Sequence, residues 1–144
     1  MIHWERHRFS EVVILPEEYT VLDLSKGQWV PPETIFSIGK YDELRPGMYN
    51  TEIFHGERFL HVGIDIGAPI GTPCMAFSDG EVSHFGYNPE PGDYGNVLIT
   101  KHELGGVSLW ALYGHLSSES IENKILGQKV VAGEVVAWFG DESE

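Results

Sequence analysis

The sequence contains a single cysteine, few basic residues and no long apolar run. Because Cys74 has no second cysteine to pair with, an internal disulfide is excluded, and its apolar setting predicts a small buried residue rather than a nucleophile. Nine Lys and Arg residues stand against 22 Asp and Glu residues, a net charge of −13, which argues against nucleic acid or an anionic membrane surface as a partner. No stretch is long enough to span a membrane, and the segment after Met1 is not a secretory signal. We therefore expect a cytoplasmic chain, or one separated from its signal sequence.

The chain also lacks a long helical period, and glycine and proline punctuate it throughout. Its 144 residues, 42% of them apolar, suit one compact domain. Many short apolar runs joined by glycine and proline turns predict an all-β fold, mainly an antiparallel sheet or a small β-barrel-like sandwich. Residues 1–57 are less regular and predict an N-terminal extension that packs on the sheet, or a lid. Residues 58–144 then form the β domain.

The clearest predicted strands flank a glycine pair. The segment from Gly95 to His102 alternates, with Leu98, Thr100 and His102 on one face. Gly105-Gly106 predicts a hairpin turn, after which the segment from Val107 to His115 returns as the neighbouring strand.

A histidine and an aspartate four residues apart are the first candidates for functional chemistry. A neutral imidazole at His61 and a carboxylate at Asp65 are both side chains that bind zinc. Nearby glycine and proline make a helix unfavourable, and on a straight strand residues four apart stand roughly 13 Å from each other. A bend or bulge at Gly63 would bring the two side chains together. The pair can share one ion only if the chain bends there; otherwise the spacing is a coincidence found in many proteins.

Three segments between residues 58 and 140 resemble motifs of the lysostaphin-type zinc endopeptidases. Residues 61–82 match the pattern H-x-G-x-D-[IL]-x-x-P-x-G-T-P-V-x-A-x-x-D-G-x-V, with Cys74 in place of the usual valine. Residues 113–117 resemble Y-x-H-L-S, and residues 127–134 resemble G-Q-x-V-x-x-G-x. The motifs stand in the family's order and spacing.

The resemblance implies a role for each candidate residue. His61 and Asp65 would be two ligands of one zinc ion, and His115 would act as general base or stabilise the charged transition state. The residues alone favour the simpler interpretation of His115, a strand histidine bonded to a backbone carbonyl. Strand alternation places Tyr113 on the same face as His115, where it either donates a hydrogen bond near the site or packs. His102 stands where the family often has a histidine at a strand end. It is a candidate for contacting the site residues without binding the metal or substrate itself.

The family's third ligand has no counterpart in this sequence. In the resembled endopeptidases it is the second histidine of an H-x-H strand near the C terminus, whose first histidine flanks the reacting water. No H-x-H occurs after His115. The resemblance therefore implies one zinc ion whose third protein ligand is absent from this chain. We expect either a piece of a longer protein, which the stop within residues 140–144 favours, or a degenerate member.

Three functions remain open at this stage. The leading one is a zinc endopeptidase that cuts short peptide cross-links of the peptidoglycan type, with a peptide or peptidoglycan-like substrate as its partner. The second is a binding or regulatory module of the same fold that cleaves nothing. The third is a sugar phosphocarrier, which shares a related β fold and uses two nearby histidines. A carrier needs no carboxylate metal ligand, so Asp65 argues against it. The oligomeric state does not follow from the sequence.

Overall fold

A computed structural model describes residues 1–49 and 59–144. Its backbone forms two compact units, one containing Met1–Ile14 with Ile70–Glu144 and the other containing Leu15–Pro69. The boundary predicted from the sequence, between residues 57 and 58, and the packing of the first 57 residues on the sheet stay predictions.

Strands are the main regular elements of both units. In chain order the elements are a 3₁₀ helix (Trp4–Arg6), β1 (Thr20–Leu22), β2 (Ser37–Gly39), β3 (Glu43–Leu44), β4 (Leu60–His61), β5 (Asp65–Gly67), β6 (Pro73–Met75), β7 (Gly80–Asn88), β8 (Gly95–Leu104), β9 (Val107–Leu116), α1 (Glu119–Glu122), β10 (Lys129–Val130) and β11 (Val135–Trp138). The described helices are too short and too polar to cross a bilayer.

The larger unit is built on an antiparallel sheet in the order β10-β7-β8-β9, and β6 pairs with β11 beside it. The turn from β8 to β9 consists of Gly105 and Gly106, with φ of 57° and 79°. A two-residue turn with positive φ at both positions matches the right-handed twist of the strands it joins, and glycine adopts it without strain. The hairpin predicted from the glycine pair is confirmed.

Alternation along β8 supplies much of the core of this unit. Leu98, Thr100 and His102 are each fully buried, on the face that the sequence predicted. The neighbouring strands complete this core with Cys74, Met75, Val82, Leu116, Val136 and Ala137.

The smaller unit contains two short ladders. β1, β2 and β5 form a sheet in that order, and β3 pairs antiparallel with β4. The register places Gly39 of β2 opposite Asp65 of β5, and Glu43 of β3 opposite His61 of β4. Both candidate metal ligands therefore have a fixed cross-strand neighbour.

The predicted all-β, mainly antiparallel fold is confirmed. One pair differs, because β1 and β2 run parallel. Parallel neighbours need a crossover of about a dozen or more residues, and residues 23–36 provide that length. Irregular crossovers carry no periodic signal, so the sequence pattern did not reveal this pair.

Candidate active site

His61 and Asp65 stand on either side of a bend. His61 ends β4, Asp65 begins β5, and the chain bends at Gly63 between them. The bend brings Nε2 of His61 to 3.3 Å from Oδ1 of Asp65. The bend at this glycine thus brings the two side chains close together, whereas a straight strand would hold the two residues far apart.

Hydrogen bonding sets the orientation of the His61 ring. Its Nδ1 lies 2.8 Å from the carbonyl oxygen of Lys40. Because a carbonyl can only accept, Nδ1 carries the proton and donates it. In the neutral ring the lone pair then lies on Nε2, the atom that faces Asp65. A histidine whose far nitrogen donates to a backbone carbonyl is the usual arrangement of a metal ligand.

The two carboxylate oxygens of Asp65 have different neighbours. Oδ1 faces His61, whereas Oδ2 accepts a hydrogen bond of 2.7 Å from Nη1 of Arg45. The Asp65 side chain is 55% exposed, while that of His61 is 15% exposed. Solvent therefore reaches the carboxylate from one side, as a site for a soluble ion and a water requires.

The spacing of these two donor atoms fits a shared metal ion. Two ligand atoms about 2.1 Å from a tetrahedral zinc ion stand about 3.4 Å apart. The 3.3 Å between His61 Nε2 and Asp65 Oδ1 matches that spacing. Among residues 1–49 and 59–144, no group of three or more His, Cys, Asp and Glu side chains is arranged to hold a metal. The described part of the chain therefore offers two donor side chains at this spacing, those of His61 and Asp65.

An ion-pair network centred on the buried side chains of Glu43 and Arg45 contacts Asp65. Arg45 Nε donates to Glu43 Oε1 at 3.0 Å, and Glu43 Oε2 accepts from Lys40 Nζ at 3.1 Å and from the Leu24 amide at 3.1 Å. Burial raises the pKa of the Glu43 carboxyl, but these hydrogen bonds outweigh it and lower the pKa below its usual value. Burial lowers the pKa of Arg45, but its hydrogen bonds to Asp65 and Glu43 outweigh this effect and raise the pKa above its usual value, so the guanidinium stays charged.

His115 is exposed near the end of β9, in an unusual backbone conformation. Between its pairs Leu98–Tyr113 and Asn96–Leu116, β9 contains one residue more than β8, which is a β-bulge. His115 lies in this bulge with φ of 56°, and its amide donates to the Tyr94 carbonyl at 2.7 Å. A left-handed conformation is rare for residues other than glycine and is found preferentially at functional sites. A cavity of about 220 Å³ borders His115, and residues 88–93 and 142–144 also line it.

The prediction that Tyr113 shares a face with His115 is wrong. The bulge adds a residue to the strand, so simple alternation no longer applies. Tyr113 is 8% exposed and its hydroxyl donates to the Met75 carbonyl at 3.3 Å, whereas His115 faces solvent. Burial raises the pKa of the Tyr113 phenol. The structure therefore places Tyr113 in the core rather than beside the imidazole.

His102 is a core residue with both ring nitrogens engaged. Nε2 lies 2.7 Å from Thr100 Oγ1 and Nδ1 lies 3.0 Å from the Asp79 carbonyl oxygen. The ring packs against Phe77 at a tilt of 52°, with the ring centroids 4.3 Å apart. Its cross-strand partner Leu109 is six residues before His115, so His102 and His115 stand roughly 20 Å apart along the sheet. His102 does not contact His115.

Sequence reasoning missed Arg45, Glu43 and Lys40. One signal was present, since an acid and a base two residues apart, as in Glu43 and Arg45, share a face of a strand. Such pairs are common on solvated surfaces, and their burial beside Asp65 depends on strand pairing. His61 and Asp65 belong to one compact unit and His115 to the other. The distance from His115 to the pair stays a prediction.

The fold and the site define a class, namely a strand-built domain in which a bend brings a histidine and an aspartate side chain to 3.3 Å from each other. The profile of Peptidase family M23, the lysostaphin-type family, matches residues 59–144. The chain belongs to this family.

Relatives of this chain include several peptidases. The chain is 39% identical over 82 residues to the DD-carboxypeptidase/endopeptidase Mpg of Neisseria meningitidis serogroup B, covering 56% of this chain and 16% of Mpg. Cell division protein DipM of Caulobacter vibrioides is 29% identical over 130 residues, covering 90% of this chain and 18% of DipM. Glycyl-glycine endopeptidase ALE-1 of Staphylococcus capitis is 32% identical over 80 residues, covering 56% of this chain and 20% of ALE-1. The chain thus spans a fifth or less of the length of these relatives. No solved structure matches it significantly.

Proposed function

We propose that this chain is a zinc-dependent endopeptidase domain that acts on short peptide cross-links of the peptidoglycan type. One observation carries the proposal: in a chain of Peptidase family M23, His61 Nε2 and Asp65 Oδ1 stand 3.3 Å apart, at the spacing of two ligands of one ion. The carbonyl of Lys40 holds the imidazole in the tautomer that leaves Nε2 free to bind.

His61 and Asp65 would hold the zinc ion. Bound zinc would supply Lewis acidity, which lowers the pKa of a water toward about 7 and polarises the scissile carbonyl. Neighbouring residues orient the two candidate ligands. Lys40 fixes the His61 ring, Arg45 occupies one oxygen of Asp65, and the exposed side of Asp65 leaves access for substrate.

His115 is proposed to move a proton or to stabilise developing charge during peptide hydrolysis. Its support is the match of residues 113–117 to the family motif, its exposure, and the left-handed backbone that turns it away from the core. A positioned general base contributes about 10²- to 10⁴-fold to a rate.

The substrate class is inferred from what the relatives are named for. Mpg is named as a DD-carboxypeptidase/endopeptidase and ALE-1 as a glycyl-glycine endopeptidase. The first name refers to a DD-peptide bond and the second to a glycyl-glycine bond, so we propose a peptide that contains D-alanine or consecutive glycines.

The test uses the gene product including any coding sequence after residue 144. Cleavage of pentaglycine and of D-alanine cross-linked peptides is measured with zinc, for the parent and for His115→Asn, since Asn tolerates a positive φ. The expected loss is about 10²-fold or more. His84→Asn changes another exposed histidine of the same sheet and should retain the parent rate.

Metal binding is tested separately by elemental analysis and zinc titration. His61→Ala and Asp65→Asn should each remove zinc while His115→Asn retains it. A parent that binds the cross-linked peptide but cleaves neither substrate would support the second function, a binding module. Zinc held equally well after both ligand substitutions would refute the assignment of this pair.

A further inference from the structure

Arg45 is buried although it carries a permanent charge, and its contacts explain its position. It is 4% exposed, and its guanidinium lies between Glu43 and Asp65, at 3.0 Å and 2.7 Å. A buried guanidinium is costly unless carboxylates pair with it. The two carboxylates differ: Glu43 is 7% exposed, whereas the Asp65 side chain is 55% exposed. Arg45 therefore connects the buried carboxylate of Glu43 to the largely exposed carboxylate of Asp65.

The contact with Arg45 restricts how Asp65 can bind a ligand. An exposed aspartate samples several rotamers, and either oxygen can face a neighbour. With Oδ2 bound to Nη1 of Arg45, only Oδ1 is directed at His61 Nε2. Asp65 is therefore held in one orientation, in which only Oδ1 is available to bind a ligand beside His61.

The backbone leaves space for this ion pair at Gly39, the cross-strand partner of Asp65. A Cβ at that position would lie 2.7 Å from Asp65 Oδ2 and 2.8 Å from Arg45 Nη2. Those distances are too short for a carbon atom, so a side chain at position 39 would have to displace Asp65 or Arg45 from this contact.

Glu43 links the supports of both candidate ligands. Besides Arg45, it binds the side chain of Lys40 through Oε2, at 3.1 Å. Lys40 is also the residue whose carbonyl orients the His61 ring. The buried Glu43 carboxylate thus contacts both orienting residues, Lys40 for His61 and Arg45 for Asp65.

We propose that Arg45 is a positioning residue: it holds Asp65 so that Oδ1 alone faces His61, and Glu43 anchors Arg45 for this purpose. This inference rests on the proposed function, because that proposal supplies the metal ion that His61 and Asp65 would bind. Hydrogen-bond partners of metal ligands typically change metal affinity by about 10- to 100-fold when removed. The contribution of Arg45 should lie in that range.

The experiment compares three variants with the parent protein, each produced with any coding sequence after residue 144, as in the activity test. Arg45→Lys keeps the charge but cannot reach Glu43 and Asp65 together through a planar fork. Glu43→Gln/Arg45→Met removes both buried charges at once, so that folding is preserved without an unpaired ion. Arg8→Gln removes an exposed positive charge and serves as the control for net charge. Circular dichroism and thermal unfolding establish that each variant is folded.

Two readouts are taken. Titration with Zn²⁺, and with Co²⁺ as a visible probe, should show affinity about 10- to 100-fold weaker in both Arg45 variants and unchanged in Arg8→Gln. The Co²⁺ absorption bands should also change shape, because Asp65 is then free to bind through both oxygens. In the metal-free protein, NMR couplings of Asp65 should report one χ1 rotamer in the parent and averaging in both Arg45 variants.

The two readouts separate the possible failures. If the parent binds no metal through His61 and Asp65, the proposed function fails, while the Asp65 rotamers still decide the role of Arg45. A single Asp65 rotamer in the Arg45 variants would overturn the inference. So would equal or tighter metal binding by those variants, which would make Arg45 a competitor of the metal for Asp65.

Discussion

His61 Nε2 lies 3.3 Å from Asp65 Oδ1 although the two residues pair with different strands. β4 brings His61 opposite Glu43 of β3, and β5 brings Asp65 opposite Gly39 of β2. The bend at Gly63 is the covalent link between these two pairings. The spacing of the donor atoms therefore depends on both strand registers as well as on the four-residue separation in the sequence.

Gly63→Ala should weaken metal binding without unfolding the protein. The added Cβ would lie 3.4 Å from His61 Nε2, which is ordinary contact but crowds the atom proposed to bind metal. We expect the unfolding free energy to change by no more than about 1 kcal/mol and zinc affinity to fall about tenfold. Chemical denaturation and zinc titration measure the two effects independently. Unchanged affinity would contradict this expectation, since it would show that a methyl group at position 63 leaves Nε2 accessible to the ion.

Gly39→Ala should destabilise the fold and disturb Asp65. The new Cβ would lie 2.7 Å from Asp65 Oδ2 and 3.0 Å from its Cβ, so atoms must move apart. Overpacking of this kind costs about 1–3 kcal/mol, measurable by urea unfolding. Gly86→Ala is the control, because its added Cβ would have no neighbour closer than 3.6 Å. Equal stability of the two variants would mean that the Arg45–Asp65 pair is not packed against β2.

His102→Phe should lower stability much more than His84→Phe. His102 is fully buried, and its replacement leaves the Thr100 hydroxyl and the Asp79 carbonyl without this partner. A buried polar group left unpaired costs about 1–3 kcal/mol. His84 is exposed, so its replacement should stay within about 0.5 kcal/mol. The difference in unfolding free energy tests whether His102 acts mainly in the fold, and similar values for both variants would contradict that role.

Cys74 should react slowly with iodoacetamide in the folded protein. Burial raises the pKa of its thiol to about 11 from an ordinary value of 9.0, so the reactive thiolate is scarce below that pH. A raised pKa favours the folded state below pH 9.0, and this contribution is lost as the pH rises toward 11.

Alkylation kinetics with and without urea, and unfolding at pH 8 and pH 11, measure both effects. Cys74→Val removes the thiol and should reduce the loss of stability across that window. Tyr113 also has a raised pKa and remains in the variant, so part of the loss should persist. Rapid alkylation of the folded parent at pH 8 would show that the thiol is accessible.

Local sequence was sufficient for the elements whose signals lie within a few residues. Gly105-Gly106 predicted the hairpin, and alternation from Leu98 to His102 predicted the buried face of β8, whereas the bend at Gly63 was only a condition that the sequence set for a shared ion. Each follows from rules of backbone conformation or side-chain periodicity. The motifs at residues 61–82 and 113–117 were likewise sufficient to indicate the family.

Only the tertiary structure decided which side chains support the candidate ligands and which face each strand residue takes. A one-residue bulge reverses alternation, and it separated Tyr113 from His115 without leaving a periodic signal in the sequence. Strand register brought Gly39, Glu43 and Arg45 behind His61 and Asp65, across separations of about twenty residues. Sequence determines these contacts through cooperative packing of the whole chain, so short patterns cannot reveal them.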